Sequence, residues 1–108
     1  MKPLKQTFAI PIPQQEIEDF CQRWKIKEFY LFGSVLRDDF NERSDIDVMV
    51  QFFPNHGWGL KIVTMNDELE QIFKRKVDFI FKDAIERSQN WIRKQDILNT
   101  AKLIYEQK

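Results

Sequence analysis

The sequence predicts an α/β domain, a small sheet flanked by helices. Three short segments, 28–32, 46–53 and 76–82, are rich in β-branched and aromatic residues and alternate in whole or in part. Between and around them, apolar residues recur at helical spacing. Strands separated by helices call for one sheet with helices packed against it, although the sequence leaves open which strands run parallel.

Each element has its own warrant. Pro11 and Pro13 close an irregular leader over 1–13. Ile17, Phe20, Cys21 and Trp24 then fall at i, i+3, i+4 and i+7, which predicts an amphipathic helix over 14–25. Glu28 to Phe32 reads as a strand apolar on both faces, as expected for a central one. It stops at Gly33, and Ser34 opens a short helix to Asp38, followed by a polar loop to Ser44. In the next strand, Ile46, Val48, Val50 and Phe52 face one way. Asp45, Asp47, Met49 and Gln51 face the other. The stretch 54–59 is a loop, with two of the chain's three glycines. Ile62, Met65, Leu69, Ile72 and Phe73 keep a helical period up to the basic run Lys74-Arg75-Lys76, which suits a helix C-terminus. In the third strand Val77, Phe79 and Phe81 alternate with Asp78 and Ile80. Ile97, Leu98, Ala101, Ile104 and Tyr105 predict a terminal helix beginning near Asn90. The expected order is α-β-α-β-α-β-α, without repeats or low-complexity tracts.

Composition excludes several classes. At 108 residues the chain has the size of a single domain over 1–108. Its 17 Lys and Arg balance its 17 Asp and Glu. Without a basic excess it is not expected to bind nucleic acid non-specifically, because that mode requires displacing phosphate counterions. No apolar run approaches the ~20 residues that span a bilayer, and the prolines break any signal-peptide core, so a cytoplasmic location is expected. The one cysteine, Cys21, lies on the apolar face of the first helix and reads as core.

Three features carry chemistry. Gly33-Ser34 sits at a strand-to-helix turn, where a residue without Cβ lets backbone approach a phosphate and a helix start offers free N–H groups. The Ser34 hydroxyl adds a donor. Asp45 and Asp47 stand two apart on one face of a strand, with Cα atoms about 6.5 Å apart, a spacing suited to gripping hard cations. Asp78 interrupts an otherwise apolar strand, where a carboxylate is expensive to desolvate unless paired with Lys76 or used. If the three converge, their repulsion calls for divalent metal. An exposed strand start and a simple turn are the alternative readings of the same residues.

Gly33-Ser34, ten intervening residues and Asp45-Ile46-Asp47 resemble the signature of the DNA polymerase beta-like nucleotidyltransferases. The stretch from Leu31 to Arg37, that from Ser44 to Val48, and Lys76-Val77-Asp78 resemble the minimal nucleotidyltransferases, antitoxins encoded beside HEPN toxins. The resemblance spans roughly 29–81 and implies that superfamily's fold, a small mixed sheet flanked by helices. It implies that Asp45, Asp47 and Asp78 are catalytic and bind Mg²⁺, expected as two ions, which hold ATP. Gly33 and Ser34 would cradle the outer phosphates, Asp78 would accept the proton of the attacking hydroxyl, and Arg37 would offset triphosphate charge. Where many relatives carry glycine after that arginine, this chain has Asp38, which bears on the loop geometry.

The implied reaction is transfer of AMP from ATP to a tyrosine of a cognate HEPN ribonuclease toxin. The chain carries no HEPN motif of its own, since its only histidine is His56, so the toxin is expected to be another polypeptide. A second reading is a non-catalytic antitoxin that occludes the toxin by binding. A third is a nucleotidyltransferase for a small molecule such as an aminoglycoside, completed by a second subunit. His56 reads as a surface loop residue. Trp58 and Trp91 read as core, with partner contact as the alternative.

Overall fold

The structure, a computed structural model, describes residues 12–36, 44–53 and 61–107. Helix α1 (Gln14–Arg23) buries Ile17, Phe20 and Cys21, the stripe its spacing predicted. It closes where Trp24 N–H donates to Phe20 O at 3.0 Å and Lys25 turns left-handed (φ 57°) into β1 (Ile26–Phe32). After a 3₁₀ turn (Gly33–Leu36), β2 (Ile46–Phe52), α2 (Lys61–Phe73) and β3 (Val77–Phe81) follow. Helices α3 (Lys82–Glu86) and α4 (Trp91–Thr100) lead to β4 (Lys102–Glu106).

The strands form a mixed sheet in the order β3-β2-β1-β4. β1 is antiparallel to both neighbours, while β2 and β3 are parallel and joined through α2. Alternation along the strands sorts two cores. Phe29 and Leu31 of β1, Val48 and Val50 of β2, and Val77 of β3 meet α1 and α2 on one face. On the other, Phe32 and Met49 meet Ile85 of α3 and Ile97 of α4. β1 is thus apolar on both faces because helices cover both. Cys21 is fully buried, and burial with the Glu18 carboxylate nearby pushes its thiol pKa up, which suits packing rather than chemistry.

Three expectations are corrected by the structure. The terminal helix does begin next to Asn90, the cap whose side chain accepts from Arg93 N–H at 3.2 Å, but it ends at Thr100. Ala101 is extended (ψ 139°), and Ile104 and Tyr105 belong to β4 instead. The open edge of β1 offered a ladder of unpaired backbone groups, and Leu103-Ile104-Tyr105 suits a pleated strand as well as a helix face. The short helix expected from Ser34 is a 3₁₀ turn as far as residue 36, and residues 37 and 38 lie outside the described residues. Trp91 is not core: it is 66% exposed at the start of α4. His56 and Trp58 lie outside the described residues.

At the sheet end remote from the acids, Lys82 Nζ donates to Glu28 Oε1 (2.9 Å) and Tyr30 Oη (3.2 Å). Tyr30 Oη donates to the same Glu28 oxygen at 2.7 Å. Burial alone would raise the Glu28 pKa, but these two hydrogen bonds together with the charges of Lys82 and Lys27 outweigh it and hold the carboxyl below its usual range. The stabilisation is therefore present at neutral pH and disappears as pH falls through that lowered value. Glu28→Gln is expected to cost on the order of 1 kcal/mol at pH 7, with the gap to wild type closing below about pH 4, as read by thermal melting.

Candidate active site

The strand register brings two of the expected acids together. Asp47, the second residue of β2, is the direct parallel partner of Asp78, the second residue of β3, and on its other side it pairs with Phe32, the last residue of β1. Register partners in neighbouring strands point to the same face at about 4.8 Å spacing, so Asp47 and Asp78 stand next to each other on one face of the sheet. Both lie on the face that buries Met49 and Ile80 further along the same strands, at the end where β1 stops and β2 and β3 start. Asp78 is exposed and Asp47 half-buried. Asp45, exposed, immediately precedes β2.

Gly33 closes the site from the β1 side. Its φ of +74° lies in the left-handed region. A Cβ added there would run into Asp47 Oδ2, with Cγ 3.0 Å away. Glycine is therefore required twice, by the turn and by the carboxylate against it. The expected phosphate cradle rests on a single 3₁₀ turn, so its N–H groups are few and its dipole is that of one turn. The Ser34 side chain and Arg37 lie outside the described residues.

One feature the sequence did not signal is the corner 74–77. Arg75 Nη1 donates to the Ser44 carbonyl at 3.0 Å, and Ile46 N–H donates to Lys76 O at 2.9 Å. The entry to β2 is thereby tied to the entry to β3 on both sides of Asp45. Residues 31 apart in the chain carry the first of these bonds, so no local pattern could announce it.

Among the described residues, no three of His, Cys, Asp and Glu close into a ready-made metal cage. The donor set is nevertheless one of hard oxygens, two of them strand partners beside a glycine-lined space. It fits a cation such as Mg²⁺, which takes only one or two carboxylates and draws its remaining ligands from water and substrate phosphates. A zinc-like cage of nitrogen and sulfur donors is not what these residues offer.

Two carboxylates on partner residues thus lie at the end of a mixed sheet, beside a glycine turn. Residues 14–104 match the Nucleotidyltransferase domain family, and the chain belongs to that family. It is 41% identical over 68 residues to "Putative protein adenylyltransferase MJ1215" of Methanocaldococcus jannaschii, covering 63% of this chain and 78% of that protein. The fold recurs in a toxin–antitoxin crystal structure with AMP-PNP (TM-score 0.65, 18% identity, covering 90% of this chain and 76% of that one). It recurs again in a complex of tri-AMPylated Shewanella oneidensis HEPN toxin with MNT antitoxin (TM-score 0.57, 20% identity, 88% and 71% covered). At such identities the two structures speak to the fold, which is the one the resemblance implied. Among the described residues, no helix is long and apolar enough to cross a membrane.

Proposed function

We propose that the chain is the antitoxin of a HEPN toxin–antitoxin pair, and that it transfers AMP from ATP to a tyrosine hydroxyl of its cognate toxin. The observation that carries this reading is the register pairing of Asp47 with Asp78 beside Gly33. The relatives named as adenylyltransferases supply the reaction class, and the AMPylated toxin complex supplies the kind of partner.

In this reading Asp45 and Asp47 hold Mg²⁺, as two ions, and Asp78 contributes to one of them. When bound, the metal supplies neutralisation of the triphosphate and of the charge that develops at the α-phosphate. The residues of the chain do the rest. The Gly33-Ser34 turn lies against the outer phosphates, and Arg37 offsets their charge. Asp78 takes the proton of the attacking tyrosine hydroxyl as the new bond from oxygen to the α-phosphorus forms, and pyrophosphate leaves. Among the described residues, α3 and α4 cover the middle of this face while Asp78 at its acidic end is exposed, where an acceptor from the partner can reach it. A reaction that consumes ATP to silence a ribonuclease belongs in the cytoplasm.

Incubation with α-labelled ATP, Mg²⁺ and the cognate HEPN protein tests this directly. Label is expected on a tyrosine of the partner and to depend on the metal. An unlabelled partner that is nonetheless fully inhibited would replace catalysis by occlusion.

A further inference from the structure

We propose that Arg75 is a positioning residue for the acidic site, holding the Ser44 carbonyl so that the backbone carrying Asp45 is fixed beside the Asp47–Asp78 pair. The proposal rests on the reading of these aspartates as metal ligands. Asp45 stands outside β2, so the ladder that aligns Asp47 with Asp78 does not by itself hold it. It is held from both flanks instead. On one side Ile46 N–H reaches Lys76 O, and on the other the Arg75 guanidinium reaches Ser44 O.

The arm that makes the second contact is mounted on a braced corner. Glu70 of α2 accepts Lys74 N–H on its backbone carbonyl (2.8 Å) and Val77 N–H on its carboxylate Oε2 (3.2 Å), so both ends of the corner are tied to one residue. Lys74 takes a left-handed conformation (φ 60°) to make the turn. Arg75 itself is half-buried. A planar guanidinium with several donors suits this task, since one N–H can hold the carbonyl in a fixed direction. Partners that hold a metal ligand from behind commonly govern affinity by 10–100-fold.

The test is Mn²⁺ binding to the full chain with a non-hydrolysable ATP analogue, followed by the electron paramagnetic resonance signal of free Mn²⁺. Arg75→Met is expected to weaken Mn²⁺ binding about 10-fold, and Asp45→Asn by a similar factor. The double variant should lose little beyond either single one, because Arg75 acts through Asp45. Wild-type affinity in Arg75→Met, or losses that simply multiply in the double variant, would overturn the positioning role while leaving the metal reading intact. Equal Mn²⁺ binding by wild type and Asp45→Asn would instead sink the metal reading and the proposal with it. Circular dichroism separates unfolding from loss of affinity. If Arg75→Met does not fold, Arg75→Gln carries the same comparison with the same outcomes.

Discussion

Asp78→Asn is expected to lower AMP transfer to the partner by about 10³-fold without lowering the melting temperature. The two halves of this expectation have separate origins. On the proposed reading Asp78 is the proton acceptor, and asparagine, although the same shape, cannot take a proton at the pH of the reaction. A thousandfold corresponds to about 4 kcal/mol in the barrier. Stability moves the other way. Asp47 and Asp78 are direct partners across β2 and β3 on one face, and like charges placed opposite each other destabilise a sheet by a few tenths of a kcal/mol up to about 1 kcal/mol. Removing one charge relieves that repulsion, so the variant should melt at the same temperature or a few degrees higher. Such a pairing of lost activity with retained or increased stability is what a site kept for function rather than folding produces. The measurement is initial rate of label transfer alongside a thermal melt. A variant that transfers label at the wild-type rate would remove Asp78 from the chemistry. A variant without transfer that still neutralises the toxin in cells would make occlusion the mode of action.

How far this architecture could be read from residues differs along the chain. The alternation of β2 placed Ile46, Val48 and Val50 on a buried face and Asp47 on the other without ambiguity, because a period of two admits no other assignment when four apolar residues obey it. The stripe of α1 and the start of the last helix near Asn90 were equally plain. That Asp47 meets Asp78, rather than a residue one step away, depends on a parallel register across α2, and register between distant strands is set by packing that no local pattern encodes. β4 was misread for a different reason. Ile97, Ala101 and Ile104 satisfy a helical period by accident of spacing, and the sequence does not reveal that β1 has an unpaired edge waiting for a strand. Gln14 Nε2, which donates to the Ile104 carbonyl at 2.9 Å, shows that even the start of α1 is coupled to that strand. Within the site, the acids and the glycine were legible as residue types, whereas the reach of Arg75 to Ser44 was not, because a side chain bonding to a distant backbone carbonyl leaves no signature in either segment.

Gly33→Ala should be the most damaging change of a single methyl group. Its first cost is conformational: a φ of +74° puts an alanine Cβ against the neighbouring carbonyl, worth about 1–2 kcal/mol. Its second cost is specific to this site, because the new Cβ meets the Asp47 carboxylate, and that side chain is flanked in its own row by Phe32 and Asp78. Either the turn or the carboxylate must move. A shift of about 1 Å at a reacting centre is enough to lose about 10²-fold in rate, so transfer should fall at least that far while the melting temperature drops by several degrees. The two costs can be separated by a double-mutant cycle with Asp47→Ala. Removing the carboxylate makes room for the methyl group, so Gly33→Ala should destabilise the Asp47→Ala background by about 1 kcal/mol less than it destabilises wild type, leaving only the backbone part. Strict additivity in that cycle would mean that the glycine serves the turn alone and that the fit between Gly33 and Asp47 contributes nothing.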